Sequence, residues 1–243
     1  PTVPFRRGEQ VWVTVTNAQT SLAGSVGIAA RPTVYGFRAA AGAGPATFVQ
    51  TSAPTTGANP NAVAMGDFDG DGDLDLAVTN YNGSNIGIFL NIGAGVYAAA
   101  VNYATGALPN GVTAADVDGD GDLDLAVTSG NNVSIMMNSG AGTFAAPVNY
   151  ASGSTTYDVA AGDFDGDGDL DLAVTNSGGA NLSILRNTGA GVFSAPATYA
   201  VGTNPAIIAV GDFDNDGDLD LAVANINTNN MSVLLNTGNG LYA

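Results

Sequence analysis

Apolar residues along most of this chain fall in runs of four to eight, separated by clusters of Gly, Asn and Pro. Within several runs they alternate with polar residues, as in Val133-Ser134-Ile135-Met136-Met137. Such runs, rich in Val, Ile, Tyr and Phe between turn residues, read as β-strands. No window long enough for a helix carries a 3.6-residue period, so the expected fold class is all-β.

The same pattern then repeats. GDFDGDGDLDLAV from Gly66 returns as ADVDGDGDLDLAV from Ala115, GDFDGDGDLDLAV from Gly162 and GDFDNDGDLDLAV from Gly211. The leading aspartates Asp67, Asp116, Asp163 and Asp212 lie 49, 47 and 49 residues apart. Each copy spells a short apolar run such as Val63-Ala64-Met65, an acidic loop, a second run such as Leu76-Ala77-Val78, and an Asn-rich turn. An alternating segment, a Gly-Ala-Gly type turn and a fourth segment near Tyr103, Tyr150 or Tyr199 complete it. A four-stranded unit of this period, repeated, predicts β-propeller blades, in which neighbours bury faces that none could bury alone. Ala and Gly in each first strand suit the crowded axis of such a disc.

Four loops predict four blades. The segment 46–53 matches the fourth strand of a repeat, Thr47-Phe48 aligning with Thr143-Phe144, while the last repeat stops at Ala243 where its own fourth strand should begin. Pairing of 46–53 with the strand near Met231–Leu235 of the same chain would close the ring without a raw edge. Pairing with another molecule would build a head-to-tail fibre. Residues 1–43 lie outside the repeat and are expected to form a β-strand appendage, with strands over 10–16 and 33–38, ahead of the propeller at 44–243. This stretch weakly resembles the tail of a bacterial Ig-like domain; an incomplete fifth blade is the alternative.

Composition narrows the chemistry. Cys, His and Lys are all absent. Disulfides, thiolate metal sites, the usual general base and any Schiff-base or Walker-type lysine are therefore excluded. The net charge is -17 over 243 residues, but 20 of the 22 acids are aspartates of the four loops, and only Glu9 and Asp158 lie elsewhere. Residues 1–38 carry four of the five Arg; the remainder has one Arg against 21 acids. That field repels nucleic acid and anionic membranes, so the partner implied is a cation. No apolar stretch is long enough for a membrane span, and the start at Pro1, without initiator Met or signal-peptide pattern, reads as a mature or excised segment.

In the loop Asp67, Asp69, Asp71, Gly72, Asp73, Asp75, carboxylates at positions 1, 3 and 5 of a tight turn converge on one point. Position 7 can offer its carbonyl, and position 9 closes the shell. This is a hard oxygen cage suited to Ca²⁺. Position 6 is Gly in every copy, and position 4 is Gly70, Gly119, Gly166 and then Asn215, which predicts positive φ at position 4. An empty quartet of close carboxylates would raise its own pKa values, and a turn needs only one Asp. Position 12 holds Val78, Val127, Val174 and Val223 where an EF-hand carries a bidentate Glu, so the EF-hand and dockerin readings fail.

A D-x-D-x-D-G-x-x-D loop between two strands, followed by G-x-F-x-x-P segments such as Gly142-Thr143-Phe144-Ala145-Ala146-Pro147, resembles the FG-GAP/VCBS repeat family of integrin α-subunit propellers and bacterial surface proteins. The resemblance covers roughly residues 46–243. It implies a propeller with Ca²⁺ in the loop between the first two strands of each blade, about four ions in all, in a secreted or cell-surface protein, here of bacterial type. It further implies side-chain ligands Asp67, Asp69, Asp71 and Asp75, then Asp116, Asp118, Asp120 and Asp124, then Asp163, Asp165, Asp167 and Asp171, then Asp212, Asp214, Asp216 and Asp220. Asp73, Asp122, Asp169 and Asp218 would serve as carbonyl ligands. Integrin-like propellers usually have seven blades; four loops depart from that number.

With nearly every acid committed to a loop, no catalytic carboxylate pair is left, and the chain reads as a non-enzyme. Tyr103, Tyr150 and Tyr199 either pack between blades or offer a sugar-stacking surface. The sequons at Asn82, Asn132, Asn181 and Asn230 fit turns whose Ser faces water, or glycosylation. The expected function is a calcium-binding structural or adhesive module, self-assembling into fibres by strand complementation in one version, with a lectin-like propeller as the alternative. Its expected partners are calcium, further copies of itself, and a glycan or surface protein.

Overall fold

The computed structural model describes residues 53–242 and, before them, the backbone of β1 (Gln10–Thr14) and β2 (Val34–Arg38). These two strands pair antiparallel, Gln10 opposite Arg38. The chain divides into two compact units, residues 1–50 and 51–243. The strand expected over 46–53 falls on residues outside those described.

The second unit is a succession of antiparallel meanders. The first sheet contains β3 (Pro60–Gly66), β4 (Asp75–Asn80), β5 (Asn85–Phe89) and β6 (Val101–Ala104). The second contains β7 (Pro109–Ala115), β8 (Asp124–Ser129), β9 (Asn132–Met136) and β10 (Val148–Ala151). The third contains β11 (Thr156–Gly162), β12 (Asp171–Asn176), β13 (Asn181–Leu185) and β14 (Ala197–Ala200). The fourth has three strands, β15 (Pro205–Gly211), β16 (Asp220–Asn225) and β17 (Asn230–Leu234). Tyr81–Gly83 forms one 3-10 turn. The all-β expectation and its phase are met.

Successive sheets pack through their first strands, β3 on β7, β7 on β11 and β11 on β15. Phe68, Ile86 and Ile88 of the first repeat meet Leu125, Val127, Met136 and Phe144 of the second. Val133 and Ile135 meet Leu172, Val174 and Leu185, and Phe164, Leu182 and Ile184 meet Leu221, Val223 and Leu234. Each such side chain stabilises by roughly 1.5–3 kcal/mol when taken out of water. The second and third sheets bury both faces, so β8 and β12 are buried at every residue and read as continuous runs rather than alternating ones.

Each first strand carries a bulge, between Pro60 and Val63, Pro109 and Val112, Thr156 and Val159, and Pro205 and Ile208. In the first three sheets a threonine hydroxyl takes up backbone groups freed there. Thr79 Oγ1 accepts from Ala62 N (2.9 Å) and donates to Asn110 O of the next sheet (2.8 Å). Thr128 and Thr175 repeat this, donating to Tyr157 O (3.0 Å) and Ala206 O (2.7 Å). Gly111 must be glycine: a Cβ would lie 2.8 Å from Tyr157 O and 2.9 Å from the Asp158 Cα.

The tyrosines pack between repeats. Tyr103 stands edge-on to Phe144 at 5.7 Å, Tyr150 to Phe193 at 5.4 Å and Tyr199 to Tyr242 at 5.3 Å. Ser134 and Ser183 of two sequons are fully buried, contrary to the expectation that they face water; Ser134 donates to Asn149 Oδ1 (2.6 Å) and Ser183 to Ser152 O (3.0 Å). The first and fourth sheets do not close on one another, for each exposes its outward apolar face.

Candidate metal centres

Each acidic loop joins the first two strands of its sheet and is shaped by its own carboxylates. Asp67 Oδ1 and Oδ2 accept from Gly70 N (2.8 Å) and Gly72 N (2.9 Å). Asp116 and Asp163 hold Gly119 and Gly121, and Gly166 and Gly168, in the same way. The turn requires a left-handed residue at position 4, where φ is 77° at Gly70 and 63° at Asn215. In the fourth loop the substitution of Asn for Gly leaves Asp212 bonding Asp216 N (3.2 Å) and Gly217 N (3.1 Å).

The ninth position is the anchor. Asp75, Asp124, Asp171 and Asp220 are buried at the start of the second strand. Asp124 Oδ2 accepts from Val117 N (3.1 Å) and Oδ1 from Asn138 N (2.7 Å). Asp75 pairs likewise with Phe68 N and Asn91 N, Asp171 with Phe164 N and Asn187 N, and Asp220 with Phe213 N and Asn236 N. Burial pushes the Asp124 and Asp171 carboxyls up to about 6, against the backbone donors that pull them down, and neighbouring loop aspartates push the same way. Asp69 and Asp214 are raised too, by desolvation and by facing carboxylates of their own loops.

Carboxylate oxygens of positions 1, 3 and 9 lie within 4.8 Å of one another in three loops: Asp116, Asp118 and Asp124; Asp163, Asp165 and Asp171; Asp212, Asp214 and Asp220. In the first loop the close group is Asp67, Asp69 and Asp71. The expected position-5 ligands Asp120, Asp167 and Asp216, and Asp75 of the first loop, stand outside these tight groups. Asp73, Asp122, Asp169 and Asp218 are not in them either, and the Asp122 side chain lies against Gly140 of its own repeat.

The residues fit a hard divalent cation. Every converging donor is a carboxylate oxygen, the buried Asp124 and Asp171 carry raised pKa values, and Asp165 Oδ1 is buried without a hydrogen-bond partner. The third loop also holds a cation of its own: Arg186 Nη1 lies 3.5 Å from Asp165 Oδ2, while Nη2 donates to Asn239 O and Gly240 O of the next repeat.

Sequence reasoning missed a second partner of the first three loops. Asn138 Nδ2 donates to Leu123 O of its own loop (3.1 Å) and to Phe68 O of the preceding one (2.9 Å). Asn187 reaches Val117 O (2.7 Å) and Asn236 reaches Phe164 O (2.8 Å) in the same manner. The signal was present as an Asn recurring at one place in every copy. Asp158, the acid left over from the loops, is spent on structure: its Oδ2 accepts from Ile208 N (3.0 Å) of the next first strand.

No curated protein matches the chain. Among solved structures it is similar in fold to an Agrocybe aegerita lectin that recognises non-reducing terminal N-acetylglucosamine, at 23% identity and TM-score 0.51, covering 74% of this chain and 50% of that one. It is similar to BBS1N from a complex with ARL6DN at 17% identity and TM-score 0.52, covering 79% and 57%. A third likeness, to the V. cholerae biofilm matrix protein Bap1, has 22% identity and TM-score 0.43, covering 76% and 30%. The chain thus spans about half the length of the first of these structures. FG-GAP-like repeats match residues 26–78, 67–127, 116–174 and 163–223. With loops, strands and repeat phase all in that register, the chain belongs to the FG-GAP-like repeat family.

Proposed function

We propose that this protein is a non-enzymatic, calcium-stabilised propeller-type module that works outside the cell or on its surface, in a structural and adhesive role. The observation that carries the reading is the fourfold convergence of carboxylates at the acidic loops, the first three of which the next repeat clamps. Asp67, Asp69, Asp71 and Asp75 and their counterparts would hold the ions, about one per loop. Bound Ca²⁺ supplies the positive charge that offsets these carboxylates. Because each ninth-position aspartate also holds the backbone of two loop ends, its charge state is coupled to the fit between neighbouring repeats. Calcium loops of extracellular modules work at roughly 10⁻⁴–10⁻³ M, which suits occupancy outside a cell.

A carbohydrate-binding propeller is the second reading, supported by the likeness in fold to the fungal lectin. The tyrosine row does not favour it, since those rings are occupied between repeats. Immobilised protein probed with a glycan array and with intact cells, with calcium and with chelator, separates the two. Calcium-dependent retention of cells without glycan selectivity supports the adhesive reading. Retention of one glycan class replaces it with the lectin reading, and calcium-independent behaviour in both assays contradicts the proposal.

A further inference from the structure

Three of the four sequons, at Asn132, Asn181 and Asn230, begin the third strand of their sheets. The first repeat shows what that asparagine does. There Asn80 Nδ2 donates to Asn85 Oδ1 (2.7 Å), although Gly87 stands where the sequon Ser would be. Asn176 and Asn225 bond Asn181 (2.7 Å) and Asn230 (3.1 Å) in the same way, so the residue closes the turn before its strand whether or not a sequon follows. The sequon serines are equally committed. Ser134 and Ser183 are fully buried, and Ser232 Oγ accepts from Asn225 Nδ2 (2.9 Å) and Gly202 N (3.3 Å).

Asn82 is out of register with these three. It lies in the 3-10 turn Tyr81–Gly83 between β4 and β5, at the opposite end of β4 from the acidic loop. The backbone amides of Tyr81 and Asn82 hold the turn to Asn59 O (2.9 Å) and Ala58 O (3.2 Å), and the Asn82 side chain is left in solvent. Among the described residues neither the Asn82 amide nor the Ser84 hydroxyl has a side-chain hydrogen bond. This exposure belongs to the turn and not to the place of the first sheet in the chain: Gly178, at the same position of the third repeat with a sheet packed on either side, is exposed as well.

We propose that Asn82 is an N-glycan acceptor and that, of the four sequons, the folded chain presents this one alone. In the transfer, Asn82 Nδ2 bonds the anomeric carbon of a lipid-linked oligosaccharide and gives up one proton, while the lipid diphosphate leaves with the electron pair of the broken C–O bond. The transferring enzyme must draw Asn and Ser out of the protein together. A turn tip opens locally at little cost, whereas a strand paired on both sides comes free only with its sheet. β9 and β13 are paired on both sides. A bulky, solubilising sugar on this turn leaves the acidic loops clear. The inference stands apart from the calcium reading, since no loop carboxylate takes part.

Purified, folded full chain in calcium, incubated with an oligosaccharyltransferase that reads N-x-S/T and with its lipid-linked oligosaccharide, tests this. Peptide mass spectrometry should find one glycan, at Asn82, with occupancy about tenfold or more above any other sequon. Asn82→Gln and Ser84→Ala should each abolish it, with circular dichroism and calcium stoichiometry unchanged. Synthetic peptides spanning the four sequons should all be modified, because the fold makes the selection. A folded chain left bare at Asn82 overturns the proposal, as does comparable occupancy at Asn132, Asn181 or Asn230 of the folded chain. Peptides of which only the one around Asn82 is modified overturn it too, the selection then lying in the sequence. Calcium binding measured on the same samples keeps these outcomes separate from the calcium reading.

Discussion

The side-chain amide of Asn138 donates to the carbonyl of Phe68, 70 residues earlier and in the neighbouring repeat, at 2.9 Å and out of contact with water. The same amide holds Leu123 O, and the Asn138 Oδ1 accepts from Gly140 N. One residue therefore ties two acidic loops and a turn. Asn138→Ala should cost about 2–3 kcal/mol, since buried backbone groups lose their partners. Chemical denaturation checks this, and the loss should persist at saturating calcium.

The raised carboxyls set a pH dependence for the calcium-free protein. Asp124 and Asp171 lie at about 6 when folded, above the ordinary carboxylate value, so the folded state keeps their protons to higher pH than the unfolded chain does. The stability they contribute is complete below about pH 4 and is lost as pH rises through 6, on the order of 2–3 kcal/mol per carboxylate. Urea midpoints in metal-free buffer should fall between pH 4 and pH 7. Added calcium should remove that fall, because the cation takes the place of the proton.

Arg186 occupies the place of Leu90, Met137 and Leu235 in the other repeats. Its charge beside Asp165 competes with a cation in the third loop. Arg186→Leu should strengthen calcium binding at one of the four sites by about two- to fivefold, the value of a half-exposed ion pair. Calorimetric titration reads this as one site leaving the group of four.

Leu108 and Thr155 hold φ of 55° at the turn entering the first strand, where Asn59 and Asn204 stand in the other repeats. Asn accepts the left-handed region at less cost. Leu108→Asn, at an exposed position, should raise stability by about 1 kcal/mol, visible in the melting temperature.

Much of this fold was legible because the period is long and the loops are marked. Asp67 to Asp75 recurs with its glycines, and the strands lie on either side as the apolar runs said. The Asn91, Asn138, Asn187 and Asn236 ties were not legible, since an Asn before a Gly turn has a sufficient local reason to be there. Ser134 and Ser183 misled for a related reason: alternation assigns them to water, but the next sheet covers both faces of these repeats. The open ends were hidden because exposure of Met65 or Phe213 depends on which sheet follows, and the local pattern is the same in buried and terminal copies.

The central claim is that the four carboxylate groups hold calcium and that the ions lock neighbouring repeats together. Thermal unfolding of one preparation, stripped of metal and then titrated with calcium while bound ion is counted, tests it directly. About four ions should bind. At tenfold excess over Kd the four together contribute on the order of 5 kcal/mol, raising the melting temperature by about 10–20 °C. A melting temperature indifferent to calcium, with no ion retained, would contradict the account.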